Sequence, residues 1–401
     1  MYCEQIKLKN GQTRWRCISD GPRNPATGKR RQIERRGKTR REARARVEDA
    51  IRSMQEEGYD ESISSSITFQ QLASDWLNVY ASSGVKRGSV RVREKEVAIL
   101  NRYFANAPVS QLTHHMYQKM LMDLDNKDGY SENSIRGVNT CANMIFQYAV
   151  RNKLMRDNIR AGAVIPKRPV TVEDLEKSKI EESFFESHEL DMFLDAVLKI
   201  GLDLDKEWFF LLAFTGMRSG ELCALQKDDL DFENNRLRIS KSLYTEKNNP
   251  RDYELSTTKT STIRIIDIDQ KIMNMLKKLI IRNDKHKMKY RTQIEDFHDE
   301  DFVFQRPDGY PFITKNIATR MRRIMKYIDI DKRLTPHSLR HTHISMMTEA
   351  GNDLPTIMHR VGHVDPNTTL RIYTHVTDKM KVTSVEDLSS HHTEILERLS
   401  L

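Results

Sequence analysis

Four short segments between residues 214 and 376 contain side chains that are suited to chemistry on an anion. The first, FTGMRSGEL (214–222), places Arg218 two residues after Gly216. Because glycine has no side chain, the backbone there can come close to a bulky anion while the guanidinium group binds it. Taken alone, Arg218 also fits a salt bridge with Glu221.

The second segment, STTKTSTIRIIDI (256–268), carries Lys259 in a hairpin-like loop at the start of a predicted strand. A mobile lysine in this place is suited to protonating a leaving oxygen. Taken alone, a lysine in a loop is usually a solvated surface charge.

The third segment, LTPHSLRHTHISMM (334–347), places His337 and Arg340 three residues apart, on one face of a predicted helix. In this pair, the histidine can act as a base and the arginine can bind an anion. His337 and His341 have the spacing of two metal ligands. However, Ser338 stands where an HExxH motif has its glutamate, and no third ligand is evident, which argues against a metal site.

The fourth segment, HRVGHVDPNTTLRIYTHV (359–376), carries His363 and, ten residues later, Tyr373. The helical spacing of its second half predicts that Tyr373 lies on the apolar side with Leu370. Taken alone, Tyr373 also fits a half-buried core tyrosine, and His363 fits a histidine that caps a helix.

The elements that must hold these segments are predicted from hydrophobic periodicity. Helical spacing occurs in FFESHELDMFLDAVLKI, KEWFFLLAFTGMRSGELCALQ, KNIATRMRRIMKYI and THISMMTEAG. RLRISKSL (236–243) and TIRIIDID (262–269) alternate between polar and apolar residues, which predicts a β-hairpin or meander. This part of the chain is therefore predicted to be mainly helical with a small sheet.

The middle of the chain, between polar linkers at 58–67 and 165–183, has the spacing of about four helices. Lys86, Arg87 and Arg91 are candidates there for binding DNA, and they are equally consistent with ordinary surface charges.

The N-terminal segment predicts a small basic sheet. Strand-like alternation occurs at 4–9 and 13–18, and 30–37 can supply a third strand. A helix is predicted over 39–54 with Thr39 as its N-cap. The stretch 19–29 is dense in turn-forming residues. The candidates for DNA contact in this segment are Arg14, Trp15, Arg16, Arg30, Arg31 and Arg35.

The charge of the chain points to a polyanionic partner. The 401 residues include 66 Lys and Arg against 57 Asp and Glu, a net charge of +9. The first 60 residues hold 16 Lys and Arg against 9 Asp and Glu, a surplus of seven. Such an asymmetry favours a dedicated nucleic-acid-binding segment.

Several classes of protein are excluded or disfavoured by composition. No uncharged apolar stretch approaches 18 residues, so no membrane span is expected, and the N-terminus lacks an apolar signal core. The four cysteines (Cys3, Cys17, Cys141 and Cys223) are scattered without a CxxC pair. We therefore expect neither a zinc ribbon nor a disulfide framework. The cysteine pattern fits a reduced intracellular compartment best.

The six residues Arg218, Lys259, His337, Arg340, His363 and Tyr373 occur in this order in one block. On this combination the sequence resembles the tyrosine recombinase (phage-type integrase) family. The resemblance rests on FTGMRSGEL, TTKTSTIR, HSLRHT, VGH and TTLRIYTHV and covers roughly residues 184–380. Val361 stands where the family usually has leucine before Gly-His, which is a conservative difference.

The resemblance implies a multidomain α+β protein. Residues 1–58 would form an arm-type DNA-binding domain of a three-stranded sheet plus a helix, and residues 67–165 a helical core-binding domain. Residues 183–385 would form the catalytic domain, mainly α with a small β-sheet, and residues 386–401 a C-terminal tail.

The resemblance also implies a mechanism. Tyr373 would attack the scissile phosphorus and form a 3′-phosphotyrosyl bond. Arg218 and Arg340 would hold the non-bridging oxygens, Lys259 would protonate the departing 5′ oxygen, and His337 would take the proton from Tyr373. His363 would hydrogen-bond the phosphate. Because two arginines and a lysine would stabilise the negative charge that metal ions stabilise in other enzymes, no cofactor is expected. Because the covalent intermediate would retain the bond energy, no ATP is expected to be required.

The implied partners are double-stranded DNA attachment sites and three further copies of the chain, as a homotetramer on DNA. An excisionase and a host DNA-bending protein are further expected partners. Alternative interpretations are a Xer-type resolvase or invertase with the same chemistry, a non-catalytic DNA-binding regulator, and a type IB topoisomerase. An RNA-binding protein is disfavoured because the sequence contains no RNP, KH or zinc-knuckle pattern.

Overall fold

The computed structural model describes residues 1–8, 12–23, 30–54, 61–167, 183–258, 262–367 and 369–377. The chain divides into two compact units, Met1–Pro169 and Val170–Leu401. The division falls within the predicted linker 165–183, most of which lies outside the described residues, as does the predicted tail 386–401.

The N-terminal segment forms the predicted antiparallel sheet. Its strands are β1 (Tyr2–Lys7), β2 (Thr13–Arg23) and β3 (Arg30–Gly37), in the order β1-β2-β3. Helix α1 (Arg40–Arg52) covers one face, and Thr39 caps it by accepting from the backbone N–H of Glu42. The prediction of a turn over 19–29 is wrong for residues 19–23, because β2 continues through them with a shift of register after Asp20.

A disulfide in this sheet corrects the expectation from the cysteine pattern. Cys3 of β1 and Cys17 of β2 are directly opposite in the register and are joined by a disulfide. Their spacing of 14 residues spans a strand, a turn and a strand. The two cysteines come together only after the hairpin forms, so a search for CxxC pairs does not detect this disulfide.

The helical block follows the predicted spacing. Its main helices are α3 (Phe69–Ser82), α4 (Arg87–Phe104), α5 (His114–Asn126) and α6 (Glu132–Arg151). They bury one continuous apolar cluster that includes Phe69, Leu100 and Phe146. A further short helix, α2 (Glu61–Ser66), occupies part of the segment predicted to be the linker 58–67.

The second unit is mainly helical. Its helices are α7 (Ser187–Ile200), α8 (Asp205–Thr215), α9 (Ser219–Cys223), α10 (Gln270–Tyr290), α11 (Thr314–Met325), α12 (Pro336–Glu349), α13 (Leu354–Val361) and α14 (369–377). Helix α8 is apolar on all sides and lies in the core, with Trp208, Phe209 and Leu211 fully buried. The periodicity predicted α8 and α9 as one helix, but Gly216 interrupts it. The sequence analysis missed the long helix α10.

The strands of this unit confirm in part the predicted hairpin or meander, because residues of 236–243 and 262–269 pair antiparallel. Segment 236–243 divides between β5 (Arg236–Ile239) and β6 (Lys241–Thr245). Strand β5 pairs with β4 (Leu230–Asp231) and β8 (Arg264–Asp267), whereas β6 forms a separate hairpin with β7 (Tyr253–Thr257). Alternation identifies which side chains are buried but not which strands pair, so the intervening hairpin was not foreseen.

Candidate active site

Arg218 is positioned by the abrupt end of α8. Gly216 adopts a left-handed conformation (φ 63°), and a Cβ atom there would lie 2.7 Å from the ring of His343. The glycine is therefore needed both for the turn and for the close approach of α12. The chain then enters α9 at Arg218, which is the N-cap residue of that helix.

Glu221 of α9 holds Arg218 in place. Its side chain is fully buried. Oε1 accepts from Nη1 of Arg218 at 2.8 Å, and Oε2 accepts from the backbone N–H of Arg218 at 2.9 Å. The salt bridge with Glu221 that the sequence suggested for Arg218 is therefore present. A further donor, Nη2 of Arg218, donates to the backbone carbonyl of Gly362 at 3.2 Å.

Arg340 of α12 is 1% exposed, and two of its three guanidinium nitrogen atoms donate hydrogen bonds. Nη1 donates to the carbonyl of Gly216 at 2.8 Å, and Nε donates to Nε2 of His363 at 3.2 Å. Nη2 is buried without a hydrogen-bond partner among the described residues. Burial, followed by the charge of Arg218, lowers the pKa of Arg340 to about 9. The arginine is still charged at neutral pH, and its unsatisfied donor is suited to an anion.

His363 is a neutral acceptor in this arrangement. It follows α13, which ends at Gly362 in a left-handed conformation. Because Nε2 accepts from Arg340, the ring proton is assigned to Nδ1, which donates to the hydroxyl of Thr369 at 2.7 Å. Burial, followed by the charge of Arg340, lowers the pKa of His363 to about 3. The nitrogen that faces the site is thus occupied by Arg340.

His337 and Tyr373 are more accessible. His337 is exposed near the start of α12, with its ring 4.8 Å from that of His341. Tyr373 is half-buried in α14, where it packs on an apolar cluster that includes Ile344 of α12 and Val361 of α13. The prediction that Tyr373 shares an apolar side with Leu370 is wrong, because Leu370 is exposed; Ile372 is the buried neighbour on α14.

Lys259 lies outside the described residues. Its flanks are described: Thr258 follows β7 and donates from its hydroxyl to the carbonyl of Thr262 at 2.8 Å. Strand β8 begins two residues later, at Arg264.

The sequence analysis missed three residues beside the site: Arg264 and His343, which are buried, and Arg360, which is half-buried. Nε of Arg360 donates to Nε2 of His343 at 3.0 Å, and Nδ1 of His343 donates to the carbonyl of Ala213 at 2.9 Å. Burial, followed by the charge of Arg360, lowers the pKa of His343 to about 3. The available signals were an arginine at an inward position of strand 262–269, and a histidine one helical turn after Arg340.

The described residues contain no group of three or more His, Cys, Asp and Glu side chains that could hold a metal ion. None of the helices among these residues combines the length and the apolar composition needed to cross a bilayer.

The N-terminal candidates for DNA contact divide between the two faces of the sheet. Trp15 and Arg35 share the face of the buried Cys17, and Trp15 packs against the cluster formed with α1. Arg14 and Arg16 point to the opposite face. Arg16 forms salt bridges there with Glu4 at 3.1 Å and Glu34 at 2.8 Å. The backbones of Arg30 and Arg31 lie in β3, but their side chains lie outside the described set.

The candidates of the helical block gather at one helix end. Lys86 is the N-cap residue of α4 and Arg87 its first residue; both are exposed, and Arg91 is half-buried one turn later. Cations at a helix N-terminus are disfavoured by the helix dipole, and a bound phosphate would offset this.

Comparison with known proteins identifies relatives over most of the chain. The sequence model of the phage integrase family matches residues 183–380. The chain is 30% identical over 328 residues to the integrase of Staphylococcus phage L54a, an alignment that covers 78% of this chain and 90% of the relative. It is 27% identical to the ICEBs1 integrase of Bacillus subtilis (strain 168), over 92% of this chain and 95% of the relative.

Solved structures share the fold. An integrase variant of the Tn1549 transposon, in complex with transposon right-end DNA, matches with a TM-score of 0.63 and 21% identity. The match covers 80% of this chain and all of that one. A lambda integrase tetramer bound to a Holliday junction matches with a TM-score of 0.57 and 17% identity, over 92% of this chain and 94% of that one.

Proposed function

The chain belongs to the phage integrase family and is a site-specific DNA recombinase of a mobile element, in which, we propose, Tyr373 carries the covalent intermediate. The observation that carries the assignment of the site is Arg340. It is buried beside Arg218, and one of its donors has no partner among the described residues. Two guanidinium groups in a buried site are suited to the two non-bridging oxygens of a phosphodiester.

The proposed reaction is a transesterification. The hydroxyl oxygen of Tyr373 forms a bond to phosphorus, and the bond from phosphorus to the 5′ oxygen breaks. His337 takes the proton from Tyr373, so that the phenolate oxygen can attack phosphorus. Lys259 supplies a proton to the departing 5′ oxygen. The phosphotyrosyl bond retains the energy of the broken bond, so that rejoining needs no ATP.

The two arginines stabilise the transition state. Arg218 and Arg340 bind the non-bridging oxygens as negative charge develops on them. Removing one such preorganised donor typically costs about 10²–10³ in rate. His363 was expected to hydrogen-bond the phosphate. Because its Nε2 accepts from Arg340, we assign it first to orienting that arginine.

The remaining parts of the chain are proposed to bind DNA. Residues 1–58 act as an arm-type domain, residues 67–165 as a core-binding domain and residues 183–385 as the catalytic domain, with residues 386–401 as a tail. Active sites on four copies are needed to exchange two duplexes, and the lambda integrase tetramer on a Holliday junction supports a tetramer on DNA. The reaction would take place in the bacterial cytoplasm, with an excisionase and a DNA-bending protein as further partners.

A Xer-type recombinase is the second candidate function. A XerC-like recombinase of Caldanaerobacter subterraneus is 30% identical, but only over 66% of this chain. The ICEBs1 integrase aligns with 92% of it. Because the integrase alignment covers more of both chains, we favour an integrase.

The experiment is a suicide-substrate assay with nicked duplexes tiled from the DNA that flanks the gene. Wild type is expected to form a covalent adduct in the presence of EDTA, and Tyr373→Phe is expected to bind the same DNA without forming one. Tyr327→Phe is the matched control, because Tyr327 is 70% exposed and should be dispensable. An adduct with Tyr373→Phe would contradict the assignment.

A further inference from the structure

Arg264 is a buried cation that the proposed reaction does not use. It lies in β8, is 4% exposed, and occupies an inward position of the strand, on the same side as Ile266. Nη2 donates to Oε2 of Glu221 at 2.7 Å, and Nη1 donates to Oε1 at 3.3 Å. The contact is a fork-to-fork pair, which fixes the plane of the carboxylate as well as its position.

Glu221 is therefore shared between two arginines. Each of its oxygens accepts one bond from Arg264 and one from Arg218. Burial alone would raise the pKa of Glu221, but the hydrogen bonds and charge of Arg264, together with Arg218, hold it below its ordinary value. With Arg340 nearby, three guanidinium groups face one carboxylate. The site keeps a surplus of positive charge that an anion can neutralise.

Arg264 also contacts the turn that carries His363. Its Nε donates to the carbonyl of Arg360 at 3.0 Å, at the C-terminal end of α13. A Cβ atom on Gly362 would come within 2.9 Å of Nη1 of Arg264. One side chain thus connects the glutamate that holds Arg218 with the turn that precedes His363.

On the basis of the proposed function, we propose that Arg264 is a positioning residue of the recombination reaction. It fixes Glu221 so that Arg218 reaches the scissile phosphate in the correct orientation. It also prevents Glu221 from fully neutralising the charge of Arg218. A glutamate bound to Arg218 alone would be free to rotate toward it. Lysine at position 264 could supply a charge but not three donors in one plane.

The test compares Arg264→Met, Arg264→Lys, Glu221→Gln and the double variant Arg264→Met/Glu221→Gln in the full chain. The rate of adduct formation is measured at saturating nicked DNA, below the unfolding temperature of each variant. We expect Arg264→Met to slow the adduct about 10²-fold and Arg264→Lys about 10-fold, with DNA affinity changed less than twofold. If Arg264→Met does not fold, Arg264→Lys carries the test alone.

The double variant separates positioning from general stability. If Arg264 acts through Glu221, the rate loss of the double variant is much smaller than the product of the two single losses. Arg236→Met removes an exposed arginine from the neighbouring strand and should keep the wild-type rate. Multiplicative losses, or wild-type rates with both Arg264→Met and Arg264→Lys, would overturn the inference. Failure of wild type to form an adduct through Tyr373 would instead overturn the proposed function.

Discussion

Three backbone carbonyls at the C-terminal end of α8 accept from the side chains around the site. Ala213 accepts from His343, Phe214 from Arg360 at 3.2 Å, and Gly216 from Arg340. The last carbonyls of a helix have no partner within it and carry partial negative charge. A histidine and two arginines are suited to satisfying them. The same bonds hold α12 and α13 against α8.

Gly216 is predicted to be the most sensitive glycine of this site. Gly216→Ala would strain a left-handed residue and press a methyl group against His343, so we expect a loss of about 3 kcal/mol in the free energy of unfolding. Gly351→Ala is the matched control: its φ is also positive (79°), but nothing lies within 4 Å of the new methyl group. It should lose about 1 kcal/mol. Equal losses in urea unfolding would show that the contact with His343 is unimportant.

Stability is predicted to fall on mild acidification because of His343. Its pKa is about 3 in the folded chain against an ordinary 6.5, so between these values the unfolded chain binds a proton that the folded chain does not. Above pH 6.5 the imidazole is neutral in both states. As the pH falls below 6.5, protonation favours the unfolded chain, and the free energy of unfolding decreases. From pH 7 to pH 5, this one group accounts for about 2 kcal/mol at most.

Urea unfolding of His343→Gln at both pH values measures this contribution. The variant should lose less stability than wild type between pH 7 and pH 5, since glutamine does not titrate. His188→Gln, on an exposed side chain, should behave like wild type. If His343→Gln had the wild-type pH dependence, His343 would have to be protonated in the folded chain.

The residues that motifs predict and those that they miss differ in what they contact. Arg218, Arg340 and His363 were identified from short motifs, and the structure brings them together. Arg264 and Arg360 were missed, because their partners are a distant glutamate and backbone carbonyls. Such pairings depend on tertiary contacts that no local spacing encodes.

At the scale of elements, the N-terminal sheet shows why composition alone does not identify a binding surface. Alternation places neighbouring residues of β2 on opposite faces, so Arg14 and Trp15 cannot contact the same duplex surface. Helix α1 covers the face of Trp15 and the buried Ile33. The face with Arg14 and Arg16 is the candidate for DNA.

Two substitutions on β2 are predicted to have different effects. Arg14→Ala should weaken binding to an arm-site duplex about 3–10-fold and reduce the salt dependence by about one ion, with unchanged unfolding. Trp15→Ala should instead lower the stability of the sheet, because Trp15 packs with α1 and lies 5.9 Å beneath the guanidinium of Arg40. Gel shifts at several salt concentrations, paired with thermal unfolding, distinguish the two. A binding defect in folded Trp15→Ala that equals that of Arg14→Ala would reverse the assignment of faces.

Helices were predicted more accurately than strand pairing. The spacing of apolar residues in α3, for example Phe69, Leu72 and Trp76, is local, and all three are buried as expected. Strand β5 pairs with β8 across the inserted β6–β7 hairpin. The pairing of these two segments was predicted, but the inserted hairpin and the third strand, β4, were not, because alternation within a segment does not identify further partners.

At the scale of the whole molecule, the charge is divided unequally. The first 60 residues hold a surplus of seven positive charges out of a net nine. Because phosphate contacts release counterions, this segment should contribute a large part of the salt dependence of binding. In the described part of the second unit, two arginines, Arg264 and Arg340, are buried at the candidate site.

Deletion of residues 1–60 is therefore predicted to weaken binding to the outer arm sites much more than to the crossover core. At the core duplex, the truncated chain should still form the covalent adduct, because Arg218, Arg340 and Tyr373 all lie in the second unit. The deletion also removes the hydrogen bond from Arg156 to the hydroxyl of Ser53 at 2.8 Å. Full-length Ser53→Ala controls for that contact and should bind both sites as wild type does. Gel shifts on separate arm and core duplexes measure the two affinities, and an equal loss at both would contradict the proposed division of labour.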